Sequence, residues 1–131
     1  AVAAEVWTPD HGIDFGVLVL LPDGSPDPAF GNYGPVGRAR VHFDQGGPGC
    51  NEDKIAAIAF HHSTLFPSTD RFLLAGTVCR SDGNRDFGVA RLHANGELDV
   101  EFGGAGRQMV AFDLDGIGYD SATSIALQSP G

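Results

Sequence analysis

Lysine is almost missing from this chain. Lys54 is the only one, and eight Lys and Arg against seventeen Asp and Glu leave a formal net charge of −9. Binding to nucleic acid needs clustered cations on one face, so that partner class is excluded. An acidic surface suits cations or plain solubility instead. Long apolar runs are absent too: none approaches the ~20 residues that span a bilayer, so no transmembrane helix is expected. Ala1-Val2-Ala3-Ala4 has no basic n-region and no long apolar h-region, so it does not read as an intact signal peptide, and a mature exported chain would look the same. Cysteine is scarce. Cys50 and Cys79 stand alone, outside any C-x-x-C pair, and two ligands make no zinc site.

Glycine and proline are plentiful, at 19 and 8 residues, and they separate short apolar runs. That composition favours an all-β fold. Above all, the chain repeats itself. Asp14-Phe15-Gly16-Val17 returns 72 positions later as Asp86-Phe87-Gly88-Val89, and Asp27, Phe30 and Gly31 return as Asp99, Phe102 and Gly103. After a three-residue shortening, Gly37-Arg38, Val41 and Phe43-Asp44 match Gly106-Arg107, Val110 and Phe112-Asp113. After two more, Ile58-Ala59 matches Ile125-Ala126. Self-similarity at a fixed period marks a repeat architecture.

Alternating side chains place strands at 1–7, 14–20, 38–44 and 54–60, and again at 71–79, 86–92, the copy of 38–44, and 121–127. Segment 54–60 has helix-forming residues, but its copy Ser121–Leu127 has poorer ones, so both are read as strands. Pro22-Asp23-Gly24 and Asn95-Gly96 supply the positive φ that hairpins require. The expectation is eight strands in two sets of four, connected as a meander, with repeat 1 over 1–72 and repeat 2 over 73–131. Four-stranded units repeated along a chain suggest blades of a β-propeller.

The stretch from Asp86 to Asp99, with Phe102-Gly103 and Gly106, resembles the delta-60 repeat, a bacterial β-propeller repeat patterned D-F-x-x-x-R-L-x-x-x-G-x-x-D-x-x-F-G-x-x-G. Asp120–Gln128 and Phe72–Gly76 resemble pieces of its second half. The first copy departs from the pattern, with Val19 for the arginine and His61 for the glutamine. The resemblance implies a propeller within an exported or surface protein, and no shared catalytic residue.

A meander collects alternate loops at one end of the sheets. Loops 8–13, 45–53, 80–85 and 114–120 share an end, which brings Cys50 near the end of the Cys79 strand. A disulfide is then the expectation for an exported chain, two buried thiols the alternative. The same end gathers carboxylates. Asp113, Asp115 and Asp120 alternate around glycines, a pattern suited to Ca²⁺, although the full EF-hand spacing is missing and solvated Asp-Gly turns explain it as well. The recurring Asp14/Asp86 and Asp44/Asp113 are read as strand-boundary acceptors for loop N–H groups, and Phe30/Phe102 with Gly31/Gly103 as packing corners.

Catalytic strings are thin. His61-His62-Ser63-Thr64 and His93 fall at the other end, but neighbours on a strand face opposite ways, and no G-x-S-x-G or H-E-x-x-H accompanies them. The two Asp-Phe-Gly tripeptides lack every other kinase signature. Trp7, Tyr33 and Tyr119 suit stacking on sugars, or ordinary packing. The residues therefore point to a binding or interaction scaffold. A hydrolase using His61, His62 or His93 with an acid or cation, and an oligomeric lectin for glycans, are the alternatives. Two repeats have open edges, and burying a continuous core takes at least three. Further blades are expected from a longer polypeptide or from head-to-tail copies, three of which would close a six-bladed ring.

Overall fold

The computed structural model describes residues 1–43, 50–112 and 118–128. The fold is all-β. Strands β1 (Val2–Thr8), β2 (Gly12–Leu18) and β3 (Arg38–Val41) form one antiparallel sheet. Strands β4 (Lys54–His61), β5 (Arg71–Cys79), β6 (Arg85–His93) and β7 (Arg107–Val110) form a second, in chain order.

Local chemistry accounts for the turns. In both long hairpins an Asx side chain folds back: Asp23 accepts the Ser25 N–H at 2.9 Å, and Asn95 accepts the Glu97 N–H at 3.0 Å. Gly24 (φ 86°) and Gly96 (φ 92°) then take the left-handed position that closes a three-residue loop.

The two sheets carry the same ladder. Each β1–β2 pair from Val2↔Leu18 to Trp7↔Ile13 is a β5–β6 pair, Leu74↔Ala90 to Cys79↔Arg85, moved by 72 positions. The pairs of β2–β3 and β6–β7 agree likewise, from Phe15↔Val41 matching Phe87↔Val110 to Leu18↔Arg38 matching Ala90↔Arg107.

The core lies between the sheets. Phe15, Val17, Phe30, Ala39, Val41 and Phe43 from the first meet Phe72, Leu74, Val78, Ala90 and Leu92 from the second. Each large apolar side chain removed from water there contributes about 1.5–3 kcal/mol. Phe43 closes edge-on against Phe15, and Phe30 against Phe72, with ring centroids 5.1 and 5.3 Å apart. Gly88 admits Phe43: a Cβ at Gly88 would stand 3.0 Å from that ring. Phe30 is buried in this core.

Two expectations need correction. Segment 54–60 opens the second sheet instead of completing the first, because 62–70 turns β4 directly back onto β5. The sheets therefore have three and four strands, not four each. Segment 121–127 is not a strand: it aligns with β4, and among the described residues no β5-like neighbour stands beside it to complete a ladder. Asp14 and Asp86 sit within β2 and β6. Both are buried inside strands and face arginines, Arg40 at 3.6 Å and Arg80 at 3.2 Å. Asp44 and Asp113 lie outside the described residues.

Candidate functional site

Among the described residues, the places that bring polar side chains together include two clefts. The first is a cleft of about 500 Å³ where the sheets meet, lined by Trp7, Ile13, Asn51, Glu52 and Arg85. Its floor is the entry to β4. Ile13 N–H donates to Asn51 O at 2.8 Å, and Asp53 N–H donates back to Ile13 O at 2.7 Å. A disulfide, Cys50–Cys79, ties the same segment to the end of β5 across 29 positions of sequence, with Cα atoms 5.7 Å apart. A cross-link of that span contributes about 2–4 kcal/mol. The cysteines are the neighbours that the loop order implied. Trp7, largely exposed near the end of β1, lines the same cleft. Glu52 lies 3.9 Å from Arg85 and 3.5 Å from Lys54, ion pairs open enough to water to hold little energy. An aromatic plate beside a carboxylate, an amide and a guanidinium is suited to a small polar ligand.

The second place is built on Asp99, buried at the foot of β6. Its Oδ2 accepts from Arg71 Nε at 2.7 Å and from Arg91 Nε at 2.8 Å. Burial alone would raise the Asp99 pKa, but the Arg71 hydrogen bond, the Glu101 N–H and Arg91 outweigh it, so the carboxyl stays below its usual range. It is an anchor for two guanidinium groups, not a proton acceptor. His61, Arg71 and His93 face one another across β4, β5 and β6. His93 Nε2 stops 3.8 Å from Asp99, and His61 lines a cleft of about 380 Å³ with Arg71, Leu73, Arg91 and Leu127. His62 follows the last residue of β4 and stacks on Phe60, and its Nδ1 lies 2.9 Å from Asp70. Asp70 also accepts the Ser63 N–H, and this bond followed by the His62 contact lowers its pKa. Ser63 Oγ in turn accepts the Phe66 N–H at 3.0 Å. The three histidines do not converge on a hydroxyl.

Among the described residues no group of three or more His, Cys, Asp or Glu is arranged to hold a metal ion. Of the Ca²⁺ candidates, Asp113 and Asp115 lie outside the described residues. Asp120 accepts the Phe112 N–H at 2.7 Å, so one of its oxygens serves the backbone. Of the three aromatics, Tyr33 is covered by the Arg40 guanidinium at 4.2 Å, Trp7 lines the first cleft, and Tyr119 is largely exposed, its backbone bridged to that of Arg85.

Sequence reading missed the Arg71–Asp99–Arg91 cluster. The eight-residue spacing of Arg91 and Asp99 in the repeat motif was its visible signal; Arg71 lies outside that motif. In the first copy Val19 stands at the Arg91 position, and Asp27 keeps the local bond to the Ala29 N–H.

A family described as "Domain of unknown function (DUF5122) beta-propeller" matches residues 70–102. A propeller-type stretch thus runs from Asp70 through β5, β6 and the Asp99 cluster to Phe102. No curated protein and no solved structure matches the chain. No helix among the described residues is long and apolar enough to cross a membrane.

Proposed function

We propose that the chain is a β-propeller repeat module of the delta-60 kind, serving as a binding and interaction scaffold in an exported or surface bacterial protein. The observation that carries this reading is the identical ladder of the two sheets, β1–β2–β3 and β5–β6–β7. A unit copied strand for strand is a stacking element, and its polar groups are spent on structure: Asp99 on two arginines, Asp70 on the 62–70 turn, Asp53 and Asp120 on backbone N–H groups. The disulfide supports an oxidising compartment. Metal analysis of dialysed protein, with a broad ester, peptide and glycoside screen, tests the scaffold against the hydrolase. No turnover is expected; robust hydrolysis abolished by His61→Ala or His93→Ala overturns the scaffold.

The Trp7 cleft favours a second reading, in which the scaffold takes a glycan. A sugar ring would stack on the indole while Glu52, Asn51 and Arg85 meet its hydroxyls. Calorimetry with neutral mono- and disaccharides tests it, and heat that survives Trp7→Ala unchanged removes it.

A further inference from the structure

A third cleft lies where the corner 31–37 and β3 of the first sheet meet the 95–98 turn and β7 of the second. It holds about 310 Å³, and its walls include Tyr33, Arg40, His42, Glu97 and Arg107. Two hydrogen bonds join the walls: Gly31 N–H donates to Asn95 O at 2.8 Å, and Arg107 Nη1 donates to His42 O. Gly96 packs so closely on the corner that a Cβ there would stand 2.9 Å from Gly31 N and 3.1 Å from the Phe30 ring. The groove is therefore formed in advance by the packing of the two sheets, and a guest need not assemble it.

The repeat separates what the fold demands here from what it does not. Arg40 stands opposite Gly16 as Met109 stands opposite Gly88, so the second sheet builds the same rung with a thioether. Nor does the neighbouring carboxylate require an arginine at that rung. Asp14 lies 3.6 Å from Arg40 Nη1, while its copy Asp86 is served by Arg80 instead. The corner 31–37 is also three residues longer than its copy 103–106, and Tyr33 belongs to the longer form. That length holds Arg40 in place. Asn32 Oδ1 accepts the Arg40 N–H at 2.8 Å, Asn32 Nδ2 donates to Arg40 O at 3.3 Å, and the guanidinium lies over the Tyr33 ring at 4.2 Å. A group needed for stacking recurs in each repeat; this one occurs once.

A guanidinium carries five N–H donors in a planar fork. The His42 carbonyl takes one from Arg107, and the Arg40 guanidinium makes no hydrogen bond among the described residues. Donors from both walls thus remain for a guest, in a chain of formal charge −9. We propose that this groove binds a hydroxylated monocarboxylate of the sugar-acid class, with its carboxylate between Arg40 and Arg107 and its hydroxyls donating to Glu97. The arginine fork matches a carboxylate in plane and in charge. Glu97 sets the charge of the guest. It is exposed and forms no ion pair with either arginine among the described residues. Its carboxylate accepts hydroxyl hydrogens and repels the second charge of a phosphate dianion. The groove shares no lining residue with the Trp7 cleft.

This inference rests on the scaffold reading and gives it a ligand, and its test is separate from the hydrolysis screen. Amide chemical-shift mapping of the 131-residue chain uses three probes: D-glucuronate, D-glucose and the inorganic phosphate dianion. Glucuronate is expected to bind with a dissociation constant of about 1 mM or below, shifting the amides of Arg40, Leu98 and Arg107 and not those of Asn51 and Glu52. Glucose and phosphate are expected to bind there at least about tenfold more weakly. Arg40→Met gives the first sheet the side chain of the second and is expected to weaken glucuronate at least about tenfold. Because that change also takes a partner from Asp14, Glu97→Gln is the second variant. It is expected to raise phosphate relative to glucuronate about threefold, the size of an exposed charge interaction, a gain that misfolding does not produce. Overturning results are no saturable shift in the groove, shifts confined to Asn51 and Glu52, an equal response to glucose, or a preference untouched by Glu97→Gln. Any of them removes the ligand and leaves the scaffold reading to the hydrolysis screen.

Discussion

The two sheets follow one set of hydrogen-bonding instructions and differ in what covers them. The registers of β1–β2–β3 and β5–β6–β7 agree pair by pair, and the corner bonds recur as well: Asp27 N–H to Val19 O and Asp99 N–H to Arg91 O are both 2.9 Å. Burial does not recur. Phe15 is sealed by the second sheet, while Phe87, its copy, is half-buried. Strand pairing is thus specified inside each repeat, and burial is specified by the repeat that stacks on it. Equivalent residues carry unequal energy because of their neighbours, not their identity.

The sharpest way to break that comparison is to truncate one equivalent pair. Phe43→Ala should cost about 3–5 kcal/mol in urea unfolding, by transfer and cavity terms, whereas Phe112→Ala should cost less than about 1 kcal/mol in a dissociated chain. Equal losses would mean that the second sheet is as well covered as the first. A smaller contrast is expected at the corners. Asp99→Asn leaves Arg71 and Arg91 facing a neutral amide and should cost about 2–3 kcal/mol. Asp27→Asn gives up a local turn bond worth less than about 1 kcal/mol. Chemical denaturation of the two variants ranks them, and a reversed order would assign the corner's strength to the turn and not to the ion pairs.

The smallest effect is in acid. Asp99 and Asp23 both have pKa values lowered by folding, Asp99 by its arginines against the pull of burial, and Asp23 by the Ser25 hydroxyl and N–H. A carboxyl lowered in the folded state adds stability that is complete above its unfolded pKa of about 3.9 and is lost as pH falls through the lower folded value. Unfolding followed downward from pH 5 should therefore flatten more with Asp99→Asn than with Asp23→Asn, whose side chain is exposed. Identical acid limbs would remove the distinction between the buried anchor and the solvated turn.

What could be read in advance was what each repeat decides for itself. The copied Asp-Phe-Gly-Val strings located β2 and β6, and Asp23-Gly24 and Asn95-Gly96 located the hairpins, because alternation and turn chemistry act over a few residues. The cysteines became neighbours once the loops were assigned to ends. The sheet to which 54–60 belongs was hidden, since that choice depends on the capture of 51–53 by Ile13 and on the pairing of β4 with β5. The Trp7 cleft was hidden for the same reason: Trp7 and Arg85 belong to different sheets and share a wall only after the sheets pack. Arg71 and Asp99 are 28 positions apart and meet through β5–β6 pairing, not through any local motif.

The Asp53 and Asp120 joints have a consequence for how such a chain can vary. Each clamps a crossover at both feet, from Phe43 to Asp53 over ten positions and from Phe112 to Asp120 over eight. Two residues of length are absorbed without disturbing the clamp. Lengthening a connection costs little entropy when its ends are already fixed. The clamp therefore fixes where each connection ends and leaves its length free to change.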